Sequence, residues 1–463
     1  MNSPKSGLEA SLESILHDKI DKRRWAYRHS SLVPSTLQLV LLISLFFWFN
    51  VFVASSLSHS YQIVAAKQIV NSTHNDLKSQ TPLQLMAFDL PSKQTINENE
   101  DPVVTDLIIK LVAEADSYLS QKSPSVMDKT RTPPSGDKHD FLSLAPFQWP
   151  DNTKPNGIPY IYRDGEFNPE IYTAHDGIFM HRMIERVKIL SAAYYFTGNN
   201  VYANKTSELL HVWFLNNDTY MNPNLEHAEV ITGKNNGTAS GIITGNYLPI
   251  VLDAIKLIED SPAWTDEGQK QIELWFDKYL EWLLGSKFGK RESKALNNHG
   301  TWYDVQVSSI SLFLNKTEIT TEILENNLNK RISEKIRPDG SQSFEISRQN
   351  SLDYHIFNLL GFFNLARIGE NIGIDLWDYE TPEGSGMQKA LDYLLPFAIG
   401  NKTWPYEQIK PIDKNKLHDL ICQATVHYEN IDSYRQAYSS LTALNVTMQT
   451  DKLIYGCTSL LFD

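Results

Sequence analysis

The chain has 463 residues, 41% hydrophobic and 11% aromatic, which is enough apolar surface for one large or two smaller packed domains and too much for a mainly disordered or fibrous protein. Its formal net charge is -13, with 55 acidic against 42 basic residues, so it lacks the broad positive field of a general nucleic-acid binder, and a polyanion can bind only in a locally basic groove.

From the N-terminus, Leu37 to Ala54 read LQLVLLISLFFWFNVFVA, an apolar run long enough to cross a bilayer as a helix. Lys19, Lys22, Arg23, Arg24 and Arg28 precede it and no comparable cluster follows, so the positive-inside bias makes residues 1–36 a cytosolic tail and 37–54 a signal anchor. This predicts a single-pass type II membrane protein with its bulk in a secretory lumen or outside the cell. A cleavable signal ending near Ala54-Ser55-Ser56 is the competing reading, against which the long stretch before the apolar run argues. Seven Asn-x-Ser/Thr sequons, at Asn71, Asn204, Asn217, Asn236, Asn315, Asn401 and Asn445, agree with that topology.

Residues 55–101 are polar and aperiodic and read as a stem. Residues 102–463 read as one domain. VVTDLIIKLVAEADSYL has helical spacing, whereas Pro124 to Pro169 is Pro/Gly-rich without a period. Phe147, Trp149, Tyr160, Tyr162 and Phe167 within that stretch predict an ordered loop, since disordered segments are poor in such side chains. From Gly177 onward, apolar residues recur near i, i+3, i+4 and i+7 and strand alternation is scarce, which predicts an all-α domain of antiparallel helix pairs, a solenoid or a closed toroid. Cys422 and Cys457 are too few for a disulfide scaffold and lack metal-ligand spacing; one bridge and two buried thiols both remain open.

Three polar clusters can carry chemistry. Asn297-Asn298-His299-Gly300-Thr301-Trp302-Tyr303-Asp304 follows the basic patch Lys287, Lys290, Arg291 and Lys294; its amides can bind an anion and its imidazole can move a proton at neutral pH. The plainer reading is an Asn-rich helix cap. Arg337 to His355 leads from a Pro-Asp-Gly turn through Arg348, Tyr354 and His355 into an apolar helix. On a continuous helix Arg348 shares a face with His355, so it meets Tyr354 only if the chain between them is irregular. Otherwise Arg348 is a surface cation and Tyr354 an interhelical packing residue. The third cluster contains Lys138, His139, Gln148, Trp149, Tyr162 and Arg163. Aromatic faces interleaved with polar groups suit sugar rings, and they equally suit a Pro-rich loop pinned by its own aromatics.

Taken in order, SVMDKTRTPPSGDKHDFLSLAPFQWPD, IPYIYRDGEFNPE, MNPNL, NNHGTWYD and PDGSQSFEISRQNSLDY resemble the alginate lyase domain family of polysaccharide lyases, from about residue 124 to 354. The resemblance implies an (α/α) toroid, an incomplete barrel of antiparallel helix pairs, that cleaves a 4-linked uronate polysaccharide, glucuronan- or alginate-like, by β-elimination. It implies that Asn298, His299 and Arg348 neutralise the uronate carboxylate, that His299 or Tyr354 removes the C5 proton with Arg348 lowering the phenol's pKa, and that Tyr354 protonates O4. Lys138, His139, Gln148, Trp149, Tyr162, Arg163, Asn297 and Trp302 are then the expected substrate contacts, and no metal or cofactor is required. Two departures touch substrate choice. Gly300-Thr301-Trp302 stands where many bacterial alginate lyases have Ser-Tyr-Trp, and the six-residue interval from Arg348 to Tyr354 is similar to that of glucuronan-type branches. Two other functions compete: a glycoside hydrolase using Asp304 and Glu345 as its carboxylate pair, and a membrane-anchored glycan-binding protein without turnover.

Overall fold

The computed structural model describes residues 102–411, 414–428 and 431–442, together with Leu90 and Ile454. The expected tail, anchor and nearly all of the stem lie outside the described residues, as do Asn71, Asn445 and Cys457.

The described chain is mostly helical. α1 (Pro102–Leu119) is followed, after the Pro/Gly-rich loop, by α2 (Asp176–Thr197) and α3 (Asn200–Leu210), which runs into a π-helical turn at His211–Leu215. Then come α4 (Leu248–Ile258), α5 (Asp266–Gly285), α6 (Lys287–Glu292), α7 (Asn298–Phe313), α8 (Thr317–Glu322), α9 (Leu328–Lys335) and α10 (Ser343–Ile346). α11 (Ser351–Glu370), α12 (Met387–Ala398), α13 (Lys414–His427) and α14 (Ile431–Thr442) complete it.

The helical periods in the sequence become buried faces in the fold. α1 buries Val104, Leu107, Ile108, Leu111 and Ala115, one stripe at i, i+3, i+4 and i+7 that packs on α2. α7 is buried nearly all round, with Thr301, Ser308, Ser309 and Ser311 interleaved among Val305, Val307 and Ile310. Its small polar side chains let α11, α5 and α4 approach it, and their hydroxyls are partly satisfied internally, as where Ser311 Oγ donates to Val307 O. Ala239–Ile258 is long and apolar enough to cross a membrane by length and composition, but it is largely buried in this core.

Two small sheets were not expected from the sequence. β1 (Leu142–Leu144) pairs in parallel with β4 (His227–Val230), and β2 (Gln148–Trp149) pairs antiparallel with β3 (Ile161–Tyr162). They lie in and against the Pro/Gly-rich loop, which is ordered as its aromatics predict: the Phe147 ring lies 5.0 Å from Phe167 and 6.3 Å from Tyr162, centroid to centroid. At the other end of the chain, Cys422 is buried and disulfide-bonded, which decides against two free thiols.

The loop is fixed to the core by a fully buried ion pair, Lys129 Nζ to Asp176 Oδ2 at 2.8 Å. Lys129 also donates to the carbonyls of Val126 and Lys138, and Asp176 accepts the Leu142 N–H. Burial pushes the Asp176 carboxyl up, to about 7 even with the opposing charge of Lys129 beside it. Removing one partner of such a pair leaves a charge without compensation in a low dielectric, so Asp176→Ala is expected to cost ~3–5 kcal/mol in urea denaturation; a loss below ~1 kcal/mol, the range of an exposed pair, contradicts this account.

Candidate active site

Irregular backbone brings Arg348 to Tyr354. α10 ends at Ile346 and α11 starts at Ser351, so residues 347–350 escape the helical register that would have aligned Arg348 with His355. The Arg348 guanidinium lies 3.8 Å from the Tyr354 ring centroid, and Nη2 donates to the phenol oxygen at 2.8 Å. His355 points instead into the core, stacked 5.5 Å from Tyr393.

Asp164, on the Pro/Gly-rich loop, holds this arrangement. It accepts Arg348 Nε at 3.0 Å and Nη2 at 2.6 Å, the Gln349 N–H at 3.1 Å and the Tyr162 hydroxyl at 2.7 Å. Burial acts to raise the Asp164 carboxyl, but these hydrogen bonds, led by Arg348, hold it at about 2. The adjoining Gly165 adopts φ +72°, and a Cβ there would come within 2.8 Å of Asn350 Nδ2 and of Ile409, so the close approach of the two segments requires glycine. Burial raises the Tyr354 pKa, and Arg348 opposes that without reversing it. The phenol therefore keeps its proton at neutral pH, contrary to the expectation that Arg348 makes it a ready base.

His299 stands in the first turn of α7. Its Nδ1 is 2.6 Å from Glu292 Oε1, the last residue of α6. Burial acts to lower the imidazole pKa, but the hydrogen bond and charge of Glu292, helped by Glu229 and Glu345, outweigh it and raise it. The preceding Asn298 is buried, and its backbone N–H and Nδ2 both donate to the Glu345 carboxylate at 2.6 and 2.7 Å. Two contacts seat α7 against α11 one turn beyond Tyr354: Thr301 Oγ1 donates to Asn358 Oδ1, and Trp302 Nε1 donates to the Phe357 carbonyl. Glu345 links the two halves of the site, since it binds Asn298 and its carbonyl accepts the Arg348 N–H.

His299, Glu292 and Asn297 line a cleft of about 1060 Å³, with His227, Asn236, Ser240, Lys287, Arg291 and Lys294 also on its walls. Glu229, on β4 at φ +53°, lies just outside this lining and accepts from Ser240 Oγ at 2.5 Å. A glutamate in the left-handed region is costly and must be held by its surroundings.

Several expected substrate contacts prove structural. Trp302 is buried and stacked 5.0 Å from Phe357, so it offers a ligand no face. Lys138 Nζ donates to the Met127 carbonyl within the loop, and His139 Nδ1 lies 2.6 Å from the Tyr220 carbonyl while its own carbonyl accepts the Asn222 N–H of the MNPNL segment. Asn298, expected to neutralise the substrate carboxylate, has its N–H donors committed to Glu345, while the neighbouring Asn297 lines the cleft. Gln148, Trp149, Tyr162 and Arg163 sit on the small β2–β3 sheet and its continuation, outside the cleft lining. Of these only Tyr162 joins the Arg348 cluster, half-exposed and with its hydroxyl on Asp164. The hydrolase pair fails for a related reason: buried Asp304 is bound through both oxygens by Arg331, and both Glu345 oxygens accept from Asn298. Gly300 has its own cause, because a Cβ there would meet Ala295 O at 2.1 Å and Arg331 Nη1 at 2.4 Å. Among the described residues, no group of three or more His, Cys, Asp or Glu side chains is arranged to hold a metal ion.

The residues that sequence reasoning missed, Asp164, Glu229 and Glu292, are acids. Nothing distinguishes them locally from the rest of an acid-rich chain, because the roles of Asp164 and Glu229 arise from long-range contacts and that of Glu292 from the turn between α6 and α7.

The sequence profile described as alginate lyase matches residues 125–404. Among solved structures, an alginate lyase from Bacteroides ovatus is 34% identical, with a TM-score of 0.73 over 78% of this chain and 96% of that one. Alginate lyase A1-III from Sphingomonas species A1 matches at 14% identity and a TM-score of 0.45, over 73% of this chain and 92% of that one. No curated protein matches. The chain belongs to the alginate lyase family, and it is accordingly a polysaccharide lyase, a carbon–oxygen lyase.

If Glu292 raises the basicity of His299, then Glu292→Gln lowers that imidazole's pKa. The acid limb of the kcat/KM profile, where the neutral imidazole is lost, is expected to move to lower pH, with a fall in kcat of ~10–100-fold. An unmoved limb in a folded variant contradicts the assignment.

Proposed function

We propose that the chain cleaves a 4-linked uronate polymer, glucuronan- or alginate-like, by β-elimination in the cleft of an (α/α) toroid. The observation that carries this reading is a half-buried phenol whose oxygen accepts from Arg348, which leaves the phenolic proton free to be given away, on a helix packed against the one bearing a Glu-held imidazole.

In this reading Nδ1 of His299 is engaged by Glu292 and Nε2 takes the C5 proton. The electron pair of the C5–H bond forms the C4=C5 double bond, the C4–O4 bond breaks, and O4 leaves with the proton of Tyr354. Exchange with solvent returns a proton to Tyr354 and removes one from His299. Arg348 and Asn297 face the carboxylate, whose charge grows toward an enolate-like state as C5–H breaks. The environments push the two groups apart in the useful direction: burial keeps Tyr354 protonated as the acid, and Glu292 makes His299 a stronger base. For a general acid contributing ~10²–10⁴-fold, Tyr354→Phe is expected to lower kcat by that factor while folding normally, followed by the ultraviolet absorbance of the unsaturated uronate. Arg348→Ala should also lower kcat and move the basic limb of the profile upward, because the phenolate loses its stabilising charge. A Tyr354→Phe protein of near wild-type rate overturns the assignment.

We also propose the type II topology, with this domain lumenal or extracellular. Asn204, Asn217, Asn236, Asn315 and Asn401 are all exposed, as glycan acceptors must be. In sealed microsomes the domain should resist protease and lose mass on treatment with an N-glycosidase; a protease-accessible, glycan-free domain contradicts this.

A further inference from the structure

Two cations of α9 are buried beside the turn that leads into α7. Arg331 and Lys335, four residues apart, share one face of that helix, and Lys335 is only 2% exposed. Lysine is rarely buried so fully unless it is paired. Arg331 is bound to the Asp304 carboxylate, whereas both hydrogen bonds of Lys335 run to neutral oxygens. Together the two cations grip the turn by three of its carbonyls: Arg331 Nη2 donates to Ser293 O at 2.7 Å and Nη1 to Ala295 O at 3.1 Å, and Lys335 Nζ donates to Asn297 O at 2.7 Å. Glu292 stands just before this turn and His299 just after it, so the turn sets the 2.6 Å contact of Glu292 Oε1 with His299 Nδ1.

The same amino group starts a chain of hydrogen bonds toward the acid. Lys335 Nζ donates to Thr301 Oγ1 at 2.7 Å, and that hydroxyl donates to Asn358 Oδ1 at 2.6 Å. Asn358 Nδ2 donates to Gln342 Oε1, and Gln342 Nε2 donates at 3.0 Å to the carbonyl of His355, next in sequence to Tyr354. Burial and Arg331 push the Lys335 ammonium down, to about 7, against Asp304, Glu345 and Glu334. Because both its partners are oxygens, it donates in the same sense whether protonated or neutral. Thr301, Gln342 and Asn358 are fully buried, so each bond in the chain is left to its neighbour rather than to water. We infer that Lys335 is a positioning residue for both proton carriers: it holds the turn that presents His299 to Glu292 and, through Thr301, Asn358 and Gln342, the helix that carries Tyr354. The inference rests on the proposed roles of His299 as base and Tyr354 as acid, and adds what keeps them in register.

The test uses the full chain acting on polyglucuronate and polymannuronate. Lys335→Met keeps most of the side chain's length and removes its donors. Its kcat should fall ~10–100-fold while KM stays within about threefold, since misplaced groups lose rate more than binding. The acid limb of its kcat/KM profile should also move to lower pH, because the Glu292 contact that raises the imidazole loosens. The sign separates positioning from charge: loss of a neighbouring cation, acting through space alone, would raise the imidazole pKa and move the limb up. Glu292, Glu229 and Glu345 act on the imidazole, and Lys287, Arg291, Lys294, Glu226 and His227 line the same cleft; all are unchanged in the variant. An unmoved kcat, or a limb that stays or moves up, overturns the inference. Thr301→Val leaves the Lys335 bond to Asn297 and cuts the chain, so kcat should fall with the acid limb in place, and Thr301→Ser, which keeps the hydroxyl, should retain most of the wild-type kcat. Equal kcat in these two variants overturns the inference even if Lys335→Met does not fold. If the wild type makes no unsaturated product from either polymer, the lyase reading fails by itself. Positioning is then read from the titration of His299 by proton NMR: a lower imidazole pKa in Lys335→Met sustains it, and an equal or higher one overturns it.

Discussion

The ion pair between Asp164 and Arg348 is the interaction on which the site depends. One carboxylate accepts from the guanidinium twice, from the Gln349 N–H and from the Tyr162 hydroxyl, and so ties the Pro/Gly-rich loop to the only break between α10 and α11. Without that break Arg348 would lie on the helix face of His355. With it, the guanidinium covers the Tyr354 ring and reaches its oxygen. The loop carrying Asp164 is itself held by the buried Lys129–Asp176 pair, so two charge pairs in succession connect the core to the phenol. Charge-assisted, bidentate hydrogen bonds suit this task because they fix orientation as well as distance.

The same logic separates the site's two proton carriers. Tyr354 and His299 are both partly enclosed, and burial acts against the charged form of each. For the phenol nothing outweighs burial, since the negative charge of Asp164 adds to it. For the imidazole three glutamates outweigh it. An acid that keeps its proton and a base that binds one more strongly are what elimination beside a carboxylate needs, and they arise from where acidic residues of an acid-rich chain fall in space.

Much of the fold was legible in the sequence, because amphipathic periods of 3.6 residues survive any arrangement of the helices they build. The two small sheets were not, since strands of two to four residues carry too little alternation to stand out. At the site, the sequence placed His299 at a helix start and made the Arg348–Tyr354 contact conditional on irregular backbone, and residues 347–350 supply that irregularity. What could not be read was partnership. Asp164 lies 184 residues from Arg348, and no local signal tells it from its neighbours. Trp302 shows the converse: an aromatic in a sugar-binding motif becomes a packing residue once α7 is pressed onto Phe357 of α11.

The central claim is that the glycosidic C4–O4 bond is broken by elimination, with no water added, and the most direct measurement is mass spectrometry of the fragments released from a defined uronate oligosaccharide. The account predicts that the two fragments of each cleavage sum to the mass of the parent, and that the fragment with the new non-reducing end carries a vinylic H4 in its proton spectrum. Fragments summing to the parent plus one water, both saturated, would mean hydrolysis and would contradict it.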